Sequence, residues 1–144
     1  MIIVEESVVT DTDEKNRKLI LLLDDEYDIV NILKAGLEKY GLNIFGFTDP
    51  MLALEHFRLN TREYSLVVSD LRMPGMSGLE VIMKVKELKP DIKVFIMTGF
   101  EIDDPHLSMV LPSTKIDEFI QKPVLIEKLS IIIHNHIDGL KAPK

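Results

Sequence analysis

The run Leu19-Ile20-Leu21-Leu22-Leu23 is apolar at every position and stops abruptly on Asp24-Asp25. A strand with one wet face alternates apolar and polar residues. A strand without alternation is covered on both faces, the condition met in a parallel sheet held between two helix layers. A second run, Leu66-Val67-Val68-Ser69, stops on Asp70 and is followed by a break at Pro74-Gly75. Two fully buried strands, each ending on carboxylate, leave few folds open. Parallel strands need crossover connections, and these are right-handed.

The segments around these runs carry helical periods. Ile29, Leu33, Leu37 and Tyr40 predict a helix stopped by Gly41. Asn43 to Phe47 reads as a short strand, and Thr48-Asp49-Pro50 as a helix start whose apolar positions are Leu52, Leu54, Phe57 and Leu59. Tyr64 to Ser69 is the third strand and delivers Asp70. Ser77 then caps a helix carrying Leu79, Ile82, Val85 and Leu88, ended by Pro90. Ile92 to Met97 is the fourth strand, stopping at Thr98-Gly99, and Ile116 to Gln121 the fifth, ending on Lys122-Pro123. A last helix is expected from Leu125 to Ile137, with Leu125, Leu129, Ile132, Ile133 and Ile137 periodic. Between the fourth and fifth strands, Pro105 and Pro112 leave room for only about two helical turns, so the fourth helix is expected to be short or irregular.

The fold expected is therefore α/β, a doubly wound five-stranded parallel sheet with helices on both faces. Residues 19–138 form one domain in this reading. Residues 1–18 are an N-terminal tail, strand-like in composition from Ile2 to Val9 and nearly all polar and charged from Asp11 to Lys18, and residues 139–144 are a C-terminal tail. A chain of 144 residues is long enough to bury a sizeable core. The net charge of -7 argues against sequence-independent binding to nucleic acid or anionic membrane. Without cysteine there is no disulfide, thiolate catalysis or thiolate metal site. No apolar run approaches the roughly 18 residues that span a bilayer, and Glu5-Glu6 interrupts the N-terminal run, so a cytoplasmic protein is expected.

All carboxyl ends of a parallel sheet lie on one edge. Asp24-Asp25, Asp70, Thr98 and Lys122 therefore converge beside the topological switch point, although scattered over the chain. Three carboxylates within roughly 5 Å repel by a few kcal/mol per pair at an effective dielectric near 20, and they call for a cation. Oxygen ligands in this number suit Mg²⁺. Lys122 adds a positive point charge for an anion and Thr98 a hydroxyl. A carboxylate nucleophile with these partners is equipped to take a phosphoryl group, a reaction in which the protein mainly positions groups and neutralises charge.

The motifs Asp24-Asp25, Asp70-Leu71-Arg72-Met73-Pro74-Gly75-Met76-Ser77-Gly78, Thr98-Gly99 and Lys122-Pro123 resemble those of the two-component response-regulator receiver domain, over roughly residues 19 to 138. The resemblance implies the flavodoxin-like receiver fold and, with no output domain in sight, a stand-alone chemotaxis-receiver-like switch. It implies that Asp70 accepts phosphate from a histidine kinase or phosphotransfer protein. Asp25, Asp70 and the Arg72 backbone carbonyl would bind Mg²⁺ or Mn²⁺, with Asp24 contributing through water. Lys122 would hold the phosphoryl group, Thr98 would swing to hydrogen-bond it, and Phe119 matches the aromatic position that rearranges with Thr98. The Lys122-Pro123 bond is one that the family usually has in cis. In that family the positions of Arg72 and Phe100 flank the path of the hydrolytic water, so the resemblance suggests slow loss of the phosphoryl group. The chain would act through an unidentified protein target, as a monomer or a phosphorylation-dependent dimer, without direct binding of nucleic acid or membrane.

Two other readings are open. One is a binding module that keeps the fold but works without phosphorylation, which the intact acidic triad and Lys122 disfavour. The other is an aspartate-nucleophile phosphatase of the haloacid dehalogenase type. That family needs a second Asp two residues after the nucleophile, where this chain has Arg72. His134 and His136 are two apart, so on a helix they point in different directions and do not form a metal pair.

Overall fold

The structure, a computed structural model, describes residues 18–99 and 115–137. Five strands, β1 (Leu19–Leu23), β2 (Asn43–Phe47), β3 (Tyr64–Asp70), β4 (Lys93–Thr98) and β5 (Glu118–Gln121), form one sheet in the order β2-β1-β3-β4-β5. Every neighbouring pair is parallel. The described helices are α1 (Tyr27–Glu38), α2 (Pro50–Leu59), α3 (Gly78–Leu88) and α4 (Ile126–His136). The strand order reverses between β1 and β3, so the switch point lies between the carboxyl ends that carry Asp24-Asp25 and Asp70. The expected doubly wound α/β architecture is observed. The expectation of a short fourth helix falls on residues 100–114, outside the described residues.

Alternation along each strand feeds two cores. Leu19, Leu21, Leu23, Val67, Val94 and Ile96 pack with Ala53 and Phe57 of α2 and Leu79, Val81, Ile82 and Val85 of α3. Ile20, Leu22, Leu66, Val68, Phe95, Met97 and Ile120 pack on the other face with Val30, Leu33 and Leu37 of α1 and Leu129 and Ile133 of α4. This is why the strands are apolar at every position. Gly36 gives α1 a flat spot against α4, because a Cβ there would fall 2.6 Å from Ile126 Cδ1.

The helix starts follow the capping residues. Asp49 accepts from Met51 N at 2.8 Å with Pro50 in the first turn, and Ser77 and Glu80 form a reciprocal capping box at α3. Gly41, in the left-handed region at φ 83°, follows α1. The apolar faces differ from expectation in detail. Ala53 and Phe57 are the buried positions of α2, whereas Leu59 is 66% exposed, since two residues turn it about half a circle from Phe57. Leu88 and Leu125, at the ends of their helices, are likewise exposed.

Strand β5 begins at Glu118, two residues later than expected. Asp117 explains the offset. Its Oδ2 accepts from Val94 N at 2.9 Å while its own N–H donates to Val94 O at 2.9 Å, so a side chain substitutes for the ladder at that position. Asp117→Ala is expected to strand the amide of the buried Val94 and destabilise the fold by about 1–3 kcal/mol in urea unfolding. Asp117→Asn, which keeps an acceptor oxygen, should lose less. Wild-type stability in the alanine variant would refute this role.

Candidate functional site

Strands β1, β3, β4 and β5 all end at the same edge of the sheet, and each end brings polar groups. The end of β1 supplies Asp24, fully buried, and Asp25, exposed. The end of β3 supplies Asp70, which is 7% exposed. One carboxylate oxygen from each of the three lies within 4.8 Å of the others. Lys122 follows β5, and its backbone N–H donates to Thr98 O at 2.8 Å. Its ammonium reaches across the sheet edge to Asp24 Oδ2 at 3.0 Å and Asp70 Oδ1 at 3.1 Å. The other oxygen of Asp24 accepts from Glu26 N at 2.9 Å, so Asp24 also satisfies the start of α1.

Burial pushes the Asp70 carboxyl above the usual carboxylate range, and the charges of Asp24 and Asp25 push the same way, with Lys122 opposing them. Burial alone would lower the Lys122 ammonium. Its hydrogen bonds to Asp24 and Asp70 outweigh that effect, and the net shift is upward. The site thus holds three carboxylates against one internal cation. Its all-oxygen donor set and its excess negative charge fit a further hard divalent cation.

A cleft of about 300 Å³ opens over Asp70 and is lined by Asp70, Leu71, Arg72, Thr98, Gly99 and Lys122. Thr98 is buried at its wall and Arg72 is exposed at its rim. Asp24, Asp25, Asp70, Arg72, Thr98 and Lys122 are therefore brought together as expected. Phe119 is half-buried against the core, and Phe100 lies outside the described residues. The Lys122-Pro123 bond is cis. His134 Nδ1 pairs with Ser130 O at 2.7 Å and His136 Nε2 with Glu118 Oε2 at 2.9 Å, so the two imidazoles hold separate partners. One residue at the site escaped the sequence reading. Ser69, fully buried beside Asp70, was legible only as a polar interruption of an apolar strand.

A family model described as the response regulator receiver domain matches residues 20–134. The chain belongs to that family. The receiver protein CpdR of Brucella abortus is 37% identical over 83 residues, covering 58% of this chain and 68% of that protein. A receiver domain from Clostridium thermocellum has TM-score 0.74 at 30% identity, covering 84% of this chain and 94% of that one. The response regulator TrrA of Thermotoga maritima, solved in complex with Mg(2+)-BeF, has TM-score 0.70 at 32% identity, covering 83% and 99%. Longer transcriptional regulators match as well, and the chain spans only 23% to 48% of their length. As a receiver domain this chain is a phosphoacceptor switch of two-component signalling. No helix among the described residues is long and apolar enough to cross a membrane.

Proposed function

We propose that Asp70 is the phosphoacceptor and that it takes its phosphoryl group from a histidine kinase or phosphotransfer protein. The observation that carries this is the position of its carboxylate, open to the cleft, 3.1 Å from Lys122 Nζ and clustered with Asp24 and Asp25. An Asp70 oxygen attacks phosphorus, the bond from phosphorus to the donor's leaving atom breaks, and the donor keeps that electron pair. Attack needs the ionised carboxylate. Lys122 supports ionisation against burial and against Asp24. Once the charge has moved onto the phosphoryl oxygens, Lys122 and the Thr98 hydroxyl are the donors at the cleft wall that can hold them.

Asp25, Asp70 and the Arg72 carbonyl would hold Mg²⁺ or Mn²⁺, with Asp24 acting through water because both its oxygens are engaged. The cation, when bound, supplies neutralisation of the charge gathered on the transferring group. Phosphorylation then biases a two-state surface toward one partner, with Thr98 and Phe119 as its moving parts and Arg72 covering the phosphoryl group.

The test is intact mass after incubation with acetyl phosphate and Mg²⁺. A gain of about 80 Da, lost when the cation is chelated beforehand, is expected. No adduct with small-molecule donors or with a phosphorylated histidine phosphotransfer protein would overturn the reading and favour a scaffold that works without phosphorylation.

A further inference from the structure

The carboxylate of Asp70 is only half of what β3 delivers. The backbone leaving Asp70 must turn at once, because the next residues form the rim of the cleft. Ser69 is the last residue of β3 before Asp70. Its hydroxyl is fully buried and donates to the carbonyl oxygen of Asp70 at 3.0 Å. The following peptide is pinned from both sides, with Leu71 N donating to Met97 O and Gly78 N donating to Leu71 O, each at 2.9 Å. Gly78 closes the arrangement. A Cβ there would run into the Asp70 carbonyl oxygen and stand 3.1 Å from Ser69 Oγ, so the first turn of α3 lies directly on the Ser69–Asp70 contact. Ser69, Asp70 and Gly78 thus fix the plane of the Asp70-Leu71 peptide, and with it the start of the segment that presents the Arg72 carbonyl.

We infer that Ser69 is a positioning residue for the divalent-cation site: its hydroxyl clamps the Asp70 carbonyl so that the Asp70 carboxylate and the Arg72 carbonyl face the same point. This rests on the reading of Asp70, Asp25 and Arg72 as the oxygen donors. A serine among apolar neighbours in a strand buried on both faces otherwise wastes a packing position. It is tolerated because its hydroxyl is satisfied by donating to the carbonyl oxygen of Asp70, the last residue of β3. Small displacements at such a site are costly, since about 1 Å can lose about a hundredfold in rate.

Three variants separate this from a purely structural role. Mg²⁺ affinity is measured by calorimetry, and the rate constant and end-point of phosphorylation by intact mass. Ser69→Ala is expected to raise the Mg²⁺ dissociation constant about tenfold and slow phosphorylation by a similar factor, while the end-point at saturating Mg²⁺ stays complete. A protein that had merely lost folded molecules would show the reverse, a reduced end-point with unchanged affinity in the folded fraction. Ser69→Cys, which keeps a weak donor of similar size, should fall between Ser and Ala. Ser65→Ala, farther back on the same strand, should leave affinity and rate as in wild type. Wild-type Mg²⁺ affinity in Ser69→Ala would overturn the inference while leaving the proposed function standing. If the wild type itself neither binds Mg²⁺ nor takes phosphate, it is the proposed function that falls.

Discussion

Asp70→Asn is expected to take no phosphoryl group from any donor, and to melt at a higher temperature than wild type when divalent cations are chelated. The first outcome follows from chemistry, since an amide oxygen is not a nucleophile toward phosphorus under these conditions. The second follows from the geometry. Three carboxylates share oxygens within 4.8 Å, and one lysine faces two of them. Replacing Asp70 by its neutral isostere removes repulsion with Asp24 and Asp25 and the cost of burying that charge. The amide oxygen can still accept from Lys122, and Lys122 keeps its bond to Asp24. A gain of about 1 kcal/mol, or a few degrees in Tm, is the expected scale. The sign of the pH dependence follows. The Asp70 carboxyl is raised above its unfolded value, so its ionisation costs stability above the folded pKa and costs nothing below the unfolded one. The advantage of Asp70→Asn should therefore be largest at neutral pH and close as the pH falls into the carboxylate range. Added Mg²⁺ should reverse the order, because it stabilises the wild type by binding and the variant less. An adduct on Asp70→Asn at the wild-type rate would mean that another residue is the acceptor. A lower Tm than wild type under chelation would mean that the Lys122–Asp70 pair outweighs the repulsion.

How the carboxylates come together could be read from the sequence, but what sits between them could not. Asp24, Asp25, Asp70, Thr98 and Lys122 each end an apolar run, and a parallel sheet collects such ends on one edge whatever the loops do. That inference needs no knowledge of strand order. The role of Lys122 does need it. Lys122 follows β5 and reaches Asp24 at the end of β1, with β3 and β4 between those strands, and only the observed order β2-β1-β3-β4-β5 makes this lysine the internal cation of the acidic cluster. Helix faces were legible to within a residue or two. Val30 rather than Ile29 is the buried position of α1, and the terminal Leu59, Leu88 and Leu125 are exposed, because a 3.6-residue period fixes a stripe but not where the neighbouring surface ends. Ser69 and Asp117 were missed for a common reason. Each acts through one side-chain bond to backbone, and such bonds leave no periodic trace in a sequence.

Removing Lys122 is expected to do the opposite of removing Asp70. In Lys122→Ala, Asp24, fully buried, keeps its bond from Glu26 N but loses its only cationic partner among the described residues, and Asp70 loses a cation 3.1 Å away. Removing one partner of a buried pair commonly costs about 3–5 kcal/mol, because the remaining charge stays buried without compensation. Lys122 is 26% exposed in its side chain, so water screens part of that charge and the lower end, about 3 kcal/mol, is the expected loss in urea unfolding under chelation. The loss should shrink as the carboxylates protonate at acid pH. It should also shrink as Mg²⁺ is added, because a site with three carboxylates and no internal cation gains more from an external one. The variant should therefore show a larger Mg²⁺-induced rise in Tm than wild type. It should still acquire the adduct at Asp70, more slowly, since the nucleophile is intact and only a donor to the phosphoryl oxygens is gone. The double variant Asp70→Asn with Lys122→Ala completes the cycle. If Lys122 acts chiefly as the countercharge of this cluster, the cost of losing it falls when Asp70 is neutral. An unchanged cost would place its contribution in packing of its hydrocarbon stem instead.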